Sequence, residues 1–228
     1  MQIKPTAIVS LSGGLDSCVA AAIAISNGYN LALLHMDYGQ LTKNKEHQAF
    51  EAIADFYKVH QKMRLTTKLA SLEAIGGSAI TDNSIPIPKG ELKRKDIPIS
   101  YVPFRNAHLL ATAVSWAEIV GASAIYVGFV EEDSSGYPDC RETFLKAFEL
   151  AANIGTRPNT KLSFHAPLIH MKKSEIVTKG LELMAPLNLT WSCYQNEDEA
   201  CGNCDSCLLR LRGFAQAGIS DPINYKNV

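Results

Sequence analysis

The sequence predicts an α/β fold in which a doubly wound parallel sheet takes up most of the chain and a small C-terminal segment is appended to it. Three observations predict this. Short β-branched and aliphatic runs alternate with helical patterns, and the connections between them are too long for hairpins, which argues for crossover units and parallel pairing. A glycine-rich turn directly follows the first strand-like run. Four cysteines crowd into the last quarter at short spacings. With 228 residues, 46% of them apolar and 20% charged, the chain buries one good core but not two full domains. The expected division is an α/β domain over 1–185 and a cysteine-bearing segment over 186–228 packed on it.

Each element follows from local pattern. Residues 6–11 read as a strand, Ser12-Gly13-Gly14 as a tight turn and the Ala-rich stretch 17–27 as a helix. A second strand at 30–36 precedes a helix at 44–57, where Phe50, Ile53, Ala54 and Tyr57 recur at helical spacing. A third strand is expected at 60–66. Between 76 and 100 the periodicity disappears, and Pro86, Pro88 and Pro98 alternate with Lys89, Lys93, Arg94 and Lys95, as in a lid or a solvated loop. Order returns with an apolar helix at 106–120, a short buried strand at 124–129 and an amphipathic helix at 141–152. A strand at 162–168 and a helix at 173–184 complete the sheet domain. No internal repeat or low-complexity tract is apparent.

Twenty-two Lys and Arg against twenty-three Asp and Glu leave a formal charge of -1, which gives no electrostatic basis for gripping a nucleic-acid backbone. Apolar runs such as 19–25 are far short of the ~20 residues that span a bilayer. The N-terminus lacks the pattern of a signal peptide, and the crowded cysteines suit a metal in a reducing compartment better than a disulfide framework. A cytoplasmic protein is expected.

The glycine turn sits where a strand gives way to a helix, so backbone N–H groups and the positive helix end converge there, as phosphate binding requires. Gly13 and Gly14 permit close backbone approach, and the hydroxyls of Ser12 and Ser17 are candidate donors to phosphate oxygens. Asp16 is a candidate to orient the turn or help hold Mg²⁺. No Lys follows the glycines and G-x-G-x-x-G is absent, which excludes the Walker and dinucleotide patterns. The run instead resembles the pyrophosphate-binding turn of the PP-loop ATP pyrophosphatases, whose Rossmann-like sheet is that of the adenine nucleotide α-hydrolases. That resemblance implies cleavage of ATP between its α and β phosphates, with Leu11, Ser12, Gly13, Gly14, Leu15, Asp16, Ser17 and Cys18 as the nucleotide-binding run. The Cys18 side chain reads as a small core residue.

Cys193, Cys201, Cys204 and Cys207 follow the spacing C-x7-C-x2-C-x2-C. Three thiols on so short a loop reach one ion and a fourth closes a tetrahedron, so structural zinc is the economical reading; an iron–sulfur cluster and disulfides are the alternatives. With every coordination position taken by sulfur, no catalytic step is assigned to the ion.

The loop after the strand at 124–129 leaves the sheet edge where open α/β folds place ligands. Its segment Ser135-Gly136-Tyr137-Pro138-Asp139-Cys140-Arg141 is joined by Tyr101-Val102-Pro103-Phe104-Arg105-Asn106, by Pro167-Leu168 with Lys173, and by Trp191-Ser192-Cys193-Tyr194. Together with the glycine turn and the cysteine triplet, these segments resemble the 7-cyano-7-deazaguanine synthase family, in the family's order, from residue 12 to residue 207. Phe104 departs from the pattern, since several members carry Gly there.

The resemblance implies a zinc-containing homodimeric ligase of queuosine precursor synthesis. Its substrates would be 7-carboxy-7-deazaguanine, ammonia and ATP. Adenylation of the carboxylate, attack by ammonia, adenylation of the resulting amide and loss of AMP would give the nitrile. Under it Asp16, Lys173 and Arg105 carry catalysis, with Arg105 also on the nucleotide, and Tyr137, Pro138, Asp139, Cys140 and Arg141 take the base. Asp139 would accept from its paired N–H donors and Tyr137 would stack on its ring. No glutaminase segment precedes the turn, so ammonia is expected free or from a partner protein. The six histidines show no metal spacing and read as packing or surface. Rival readings are a PP-loop tRNA thiolation enzyme and a non-catalytic, zinc-stabilised ATP-binding module.

Overall fold

The computed structural model describes residues 4–91, 96–131 and 136–226. The lysines at 93 and 95 and Arg94 of the expected lid, and the stretch 132–135 of the second loop, lie outside the described residues.

The strands β1 (Thr6–Ser10), β2 (Asn30–Asp37), β3 (Arg64–Lys68), β4 (Ala124–Tyr126) and β5 (Ser163–His165) form one sheet in the order β3-β2-β1-β4-β5. All pairs are parallel; Ile8 stands opposite Ala32 on one side and Ile125 on the other. The helices are α1 (Leu15–Ser26), α2 (Lys43–Phe56), α3 (Ala70–Ile75), α4 (Arg105–Val120), α5 (Glu142–Gly155), α6 (Lys173–Glu182) and α7 (Asp205–Gln216).

Alternation along the central strands sends side chains into two cores, which is why these strands are apolar on both faces. Ala7, Val9, Leu31, Leu33, Ala124 and Tyr126 pack with α1, α2 and α6 and with Phe214 of α7. Ile8, Ala32, Leu34 and Ile125 face the other way, against Leu72 of α3, Leu110 of α4 and Leu145 of α5. α1 is buried on almost every side, which its run of alanines permits.

The chain runs from β1 to β2 on one side and reaches β4 on the other, so the order reverses beside β1. At such a switch point, loops leaving the carboxyl ends of adjacent strands diverge and open a crevice.

Several expectations shift. A turn of 3₁₀ helix, Gln61–Met63, delays the third strand to Arg64. β4 and β5 are each three residues long, shorter than the apolar runs that contain them. α3 and α7 were not foreseen. No helix among the described residues is long and apolar enough to cross a membrane.

Candidate functional site

The crevice above the β1/β4 switch point has a volume of about 260 Å³, close to the lower end of small-molecule sites. Ser12, Gly14, Leu15, Asp16 and Ser17 form its floor; Tyr38, Arg105, Tyr137, Cys140, Lys173 and Trp191 stand among its walls.

The floor is the glycine turn. Gly13 takes φ +90°, and a Cβ there would stand 2.6 Å from the carbonyl oxygen of Glu46, so both handedness and space demand glycine. Ser12 Oγ accepts from Gly14 N at 3.2 Å and lies 3.2 Å from Ser17 Oγ, which donates to Gly14 O at 3.0 Å. The first helical bond of α1 runs from Cys18 N to Gly14 O. The N–H groups of Leu15, Asp16 and Ser17 therefore precede the intrahelical ladder, where an anion is favoured. Gly128 comes so close beneath them that a Cβ would lie 2.6 Å from Ser17 N.

Lys173, at the start of α6, is 6% exposed, and its Nζ lies 2.8 Å from both carboxylate oxygens of Asp16. Its stem runs against Gly213 of α7, where a Cβ would meet Lys173 Cγ at 2.5 Å. Asp16 thus holds a buried ammonium at the edge of the turn.

Arg105 opens α4. Its guanidinium donates to Tyr38 Oη at 3.0 Å and lies over the rings of Tyr38 and Tyr137, 5.0 and 6.0 Å from their centroids. Phe104 immediately before it adopts φ 59°, ψ 21°, the left-handed region, which costs a side chain with a Cβ about 1–2 kcal/mol. That backbone conformation explains why glycine suits this position.

Tyr137 Oη is 3.0 Å from Ser100 Oγ and 3.4 Å from Tyr194 Oη, which ties the second loop to the segment before α4 and to the cysteine segment. Asp139 is 3% exposed: Oδ2 accepts from Asn106 N at 2.9 Å in the first turn of α4, while Oδ1 is buried with no partner. Cys140 Sγ accepts from Asn106 Nδ2 at 3.2 Å, and burial pushes its thiol up to about 12.

Not every residue of the expected site borders the crevice. Leu11 and Cys18 are fully buried in the core beneath the turn, with the Cys18 thiol also raised to about 12 by burial. Gly13 acts from behind, and Asp139 and Pro138 lie outside the lining. Arg141 is exposed at the start of α5. Conversely, Tyr38, Glu46, Gly128, Ser206 and Arg210 line the crevice unforeseen. Tyr38 and Gly128 follow the carboxyl ends of β2 and β4, a position that itself marks ligand-facing residues. Arg210 carried no such signal.

The Sγ atoms of Cys193, Cys201, Cys204 and Cys207 lie within 4.8 Å of one another, all buried. Cys201 Sγ and Cys207 Sγ are 3.8 Å apart, which is the edge, about 3.8 Å, of a tetrahedron with ~2.3 Å metal–sulfur bonds. Backbone N–H groups of Gln195, Asn196 and Cys201 point at Cys193 Sγ from 3.3 to 3.4 Å, as suits a thiolate. The donor set can hold a metal ion. The same segment buttresses the turn: Trp191 N donates to Gly13 O at 2.9 Å, and Glu197 Oε1 accepts from Asn44 N and Lys45 N at the start of α2.

Residues 6–218 match the family described as "Queuosine biosynthesis protein QueC". The "7-cyano-7-deazaguanine synthase" of Chlorobium phaeobacteroides (strain DSM 266 / SMG 266 / 2430) is 54% identical over 96% of both chains. That of Koribacter versatilis (strain Ellin345) is 53% identical over 96% of this chain and 92% of its own. Among solved structures, a 4-thiouridine synthetase–RNA complex with bound ATP shares the fold, with a TM-score of 0.52 at 18% identity, over 97% of this chain and 47% of that one.

Proposed function

The chain belongs to the queuosine biosynthesis protein QueC family, whose curated members are enzymes, and from that membership and the crevice we propose that it makes 7-cyano-7-deazaguanine from 7-carboxy-7-deazaguanine, ammonia and ATP. The observation that carries this reading is the convergence, over one floor of helix N–H groups, of the Asp16–Lys173 pair, Arg105 and the loop of Tyr137 and Cys140.

A carboxylate resists nucleophiles because of its charge and has a poor leaving oxygen; an adenylate has neither defect. Ser12, Gly13, Gly14, Leu15, Asp16 and Ser17 receive the pyrophosphate of ATP, supplied as its Mg²⁺ complex. Lys173 and Arg105 offset the charge that builds on phosphate as the α–β bond breaks, a role of positioning and fixed electrostatics. Lys173 is already oriented by Asp16, so little reorganisation is needed. Ammonia displaces AMP to give the amide, and a second adenylation, on the amide oxygen, ends in the nitrile. Two ATP are consumed. Asp139 stands behind the lining, but its buried, unpartnered Oδ1 leaves an acceptor for the N–H edge of a base seated against its neighbours Tyr137 and Cys140, and Tyr137 offers that base a ring face. Cys193, Cys201, Cys204 and Cys207 would hold zinc, which would supply a structural cross-link and no catalytic step. The polypeptide acts as a homodimer in the cytoplasm, without nucleic-acid or membrane partners.

Sulfur transfer to tRNA is disfavoured by the same geometry. It needs a reactive thiolate, and outside the four-cysteine cluster the thiols are Cys18 and Cys140, both raised to about 12 by burial. A non-catalytic ATP-binding module would have no use for the second loop.

The test is incubation with 7-carboxy-7-deazaguanine, ammonia and ATP, with mass analysis of base and nucleotide. The expected products are the nitrile, AMP and pyrophosphate; release of ADP in place of AMP would falsify the adenylation scheme.

A further inference from the structure

Glu46 lies in the first turn of α2 and lines the crevice together with Ser12, Gly14 and Arg105. Its own carbonyl oxygen sits behind Gly13, so its place relative to the pyrophosphate turn is fixed by direct backbone packing. The carboxylate accepts from Thr42 Oγ1 at 2.8 Å through Oε1 and from Gln40 Nε2 at 3.0 Å through Oε2. Gln40 cannot turn its amide round, because it is 2% exposed, its Oε1 accepts from Tyr38 N at 2.9 Å and its Nε2 also donates to Met36 O at 3.2 Å. Each carboxylate oxygen therefore has one fixed donor and a lone pair left over.

We propose that Glu46 is the proton acceptor for the nitrogen chemistry of the synthase reaction: it takes the proton from the attacking ammonia and, in the second round, the two protons that the amide nitrogen must lose. The inference rests on the synthase reading. In the first round the ammonia lone pair forms the C–N bond, the C–O bond to AMP breaks, and the surplus proton passes from nitrogen to Glu46. In the second, the amide oxygen bonds to the α-phosphorus as pyrophosphate leaves, and one N–H proton goes to Glu46. Removal of the last N–H proton then forms the triple bond as the C–O bond to AMP breaks. Each proton is passed on to solvent before the next is taken. Among the described residues, the crevice is lined by two carboxylates, Glu46 and Asp16. Asp16 is held by Lys173, the cations are already protonated, and the Cys140 thiol stays neutral. Burial also raises the Glu46 carboxyl, against the pull of the hydrogen bonds from Thr42 and Gln40.

Carboxylate adenylation involves no nitrogen and needs no base, so the two halves of the reaction separate the proposal from a structural role. Glu46→Gln is expected to keep ATP–pyrophosphate exchange dependent on 7-carboxy-7-deazaguanine within about threefold of the parent, while formation of the amide and nitrile falls on the order of 100-fold or more. Glu46→Asp should recover part of that loss. Synthesis by Glu46→Gln close to the parent rate, loss of exchange together with synthesis, or no advantage of Asp over Gln each overturns the assignment. A parent enzyme that shows no exchange overturns instead the synthase reading, and this inference with it.

Discussion

His35 lies directly beneath the glycine turn, 1% exposed, with Nδ1 3.2 Å from Leu11 O. A carbonyl opposite Nδ1 requires the N–H there, which leaves Nε2 as a bare acceptor, and Nε2 is indeed buried without a partner. Burial lowers the pKa of His35 to about 4, against the pull of the Leu11 carbonyl. The unfolded chain binds the proton first as pH falls, so this group leaves stability intact above about 6.5 and erodes it between 6.5 and 4, by up to about 3 kcal/mol. His35→Leu should therefore flatten the loss of stability between pH 7 and pH 5, read as urea midpoints; an unchanged slope would assign the acid sensitivity to other groups. Asp139 is the second residue whose environment makes a prediction. Its Oδ2 caps α4 and its Oδ1 has no partner, so Asp139→Asn retains the cap acceptor but loses the charge. A charge-assisted hydrogen bond contributes about 1.5–3 kcal/mol, so KM for the base should rise roughly 10- to 100-fold with ATP binding little changed. Steady-state kinetics with each substrate varied in turn decides it.

At the scale of elements, the four-cysteine segment is a brace for the floor of the crevice. Trp191 bonds Gly13 from one side, and Glu197 caps α2 from the other, so the turn is held between two contacts that both originate in this segment. If the four thiols hold zinc as proposed, removing it should release both. A chelator is expected to lower Tm and to weaken ATP binding together, with recovery on re-addition of zinc; a fall in Tm with ATP affinity unchanged would show that the brace does not reach the floor. Legibility in the sequence follows the same division. β1, α1, β2 and α2 were readable to within two residues because their apolar spacing is regular and the glycine turn marks a boundary. α7 was not, because its buried positions mix the apolar Leu209 and Phe214 with Cys207, Gly213 and an Arg210 that pairs with Asp221 at 2.7 Å, which breaks any regular apolar stripe. α3 is only six residues long and shows just one buried side chain, Leu72. The floor and the cysteine cluster were legible because contiguous residues form them. Glu46, Tyr38 and Arg210 were not, because only the fold brings them to the crevice.

At the scale of the molecule, one surface is left unaccounted for by the monomer. On α5, Ala147, Leu150, Ala151 and Ile154 are all exposed, with Leu150 at 64% and Ile154 at 75%, and their spacing of three and four places them on one face. Ile119 of the adjoining α4 is 74% exposed. Single exposed apolar residues are ordinary, but a helical stripe of them is not, and the two alanines between the larger side chains would let a second helix approach closely. A two-fold pairing of this face with its copy would bury the same stripe on both chains, as an isologous interface requires. The parent protein should then sediment at about twice the 24.9 kDa of one chain, and the double variant Leu150→Asp with Ile154→Asp at the mass of one. α5 begins two residues after Cys140, so the variant also asks whether the loop of Tyr137 and Cys140 depends on the partner. A monomeric variant that keeps its KM for the base places the crevice wholly within one chain, whereas a parent that sediments as a monomer removes the homodimer and leaves the stripe to a different partner.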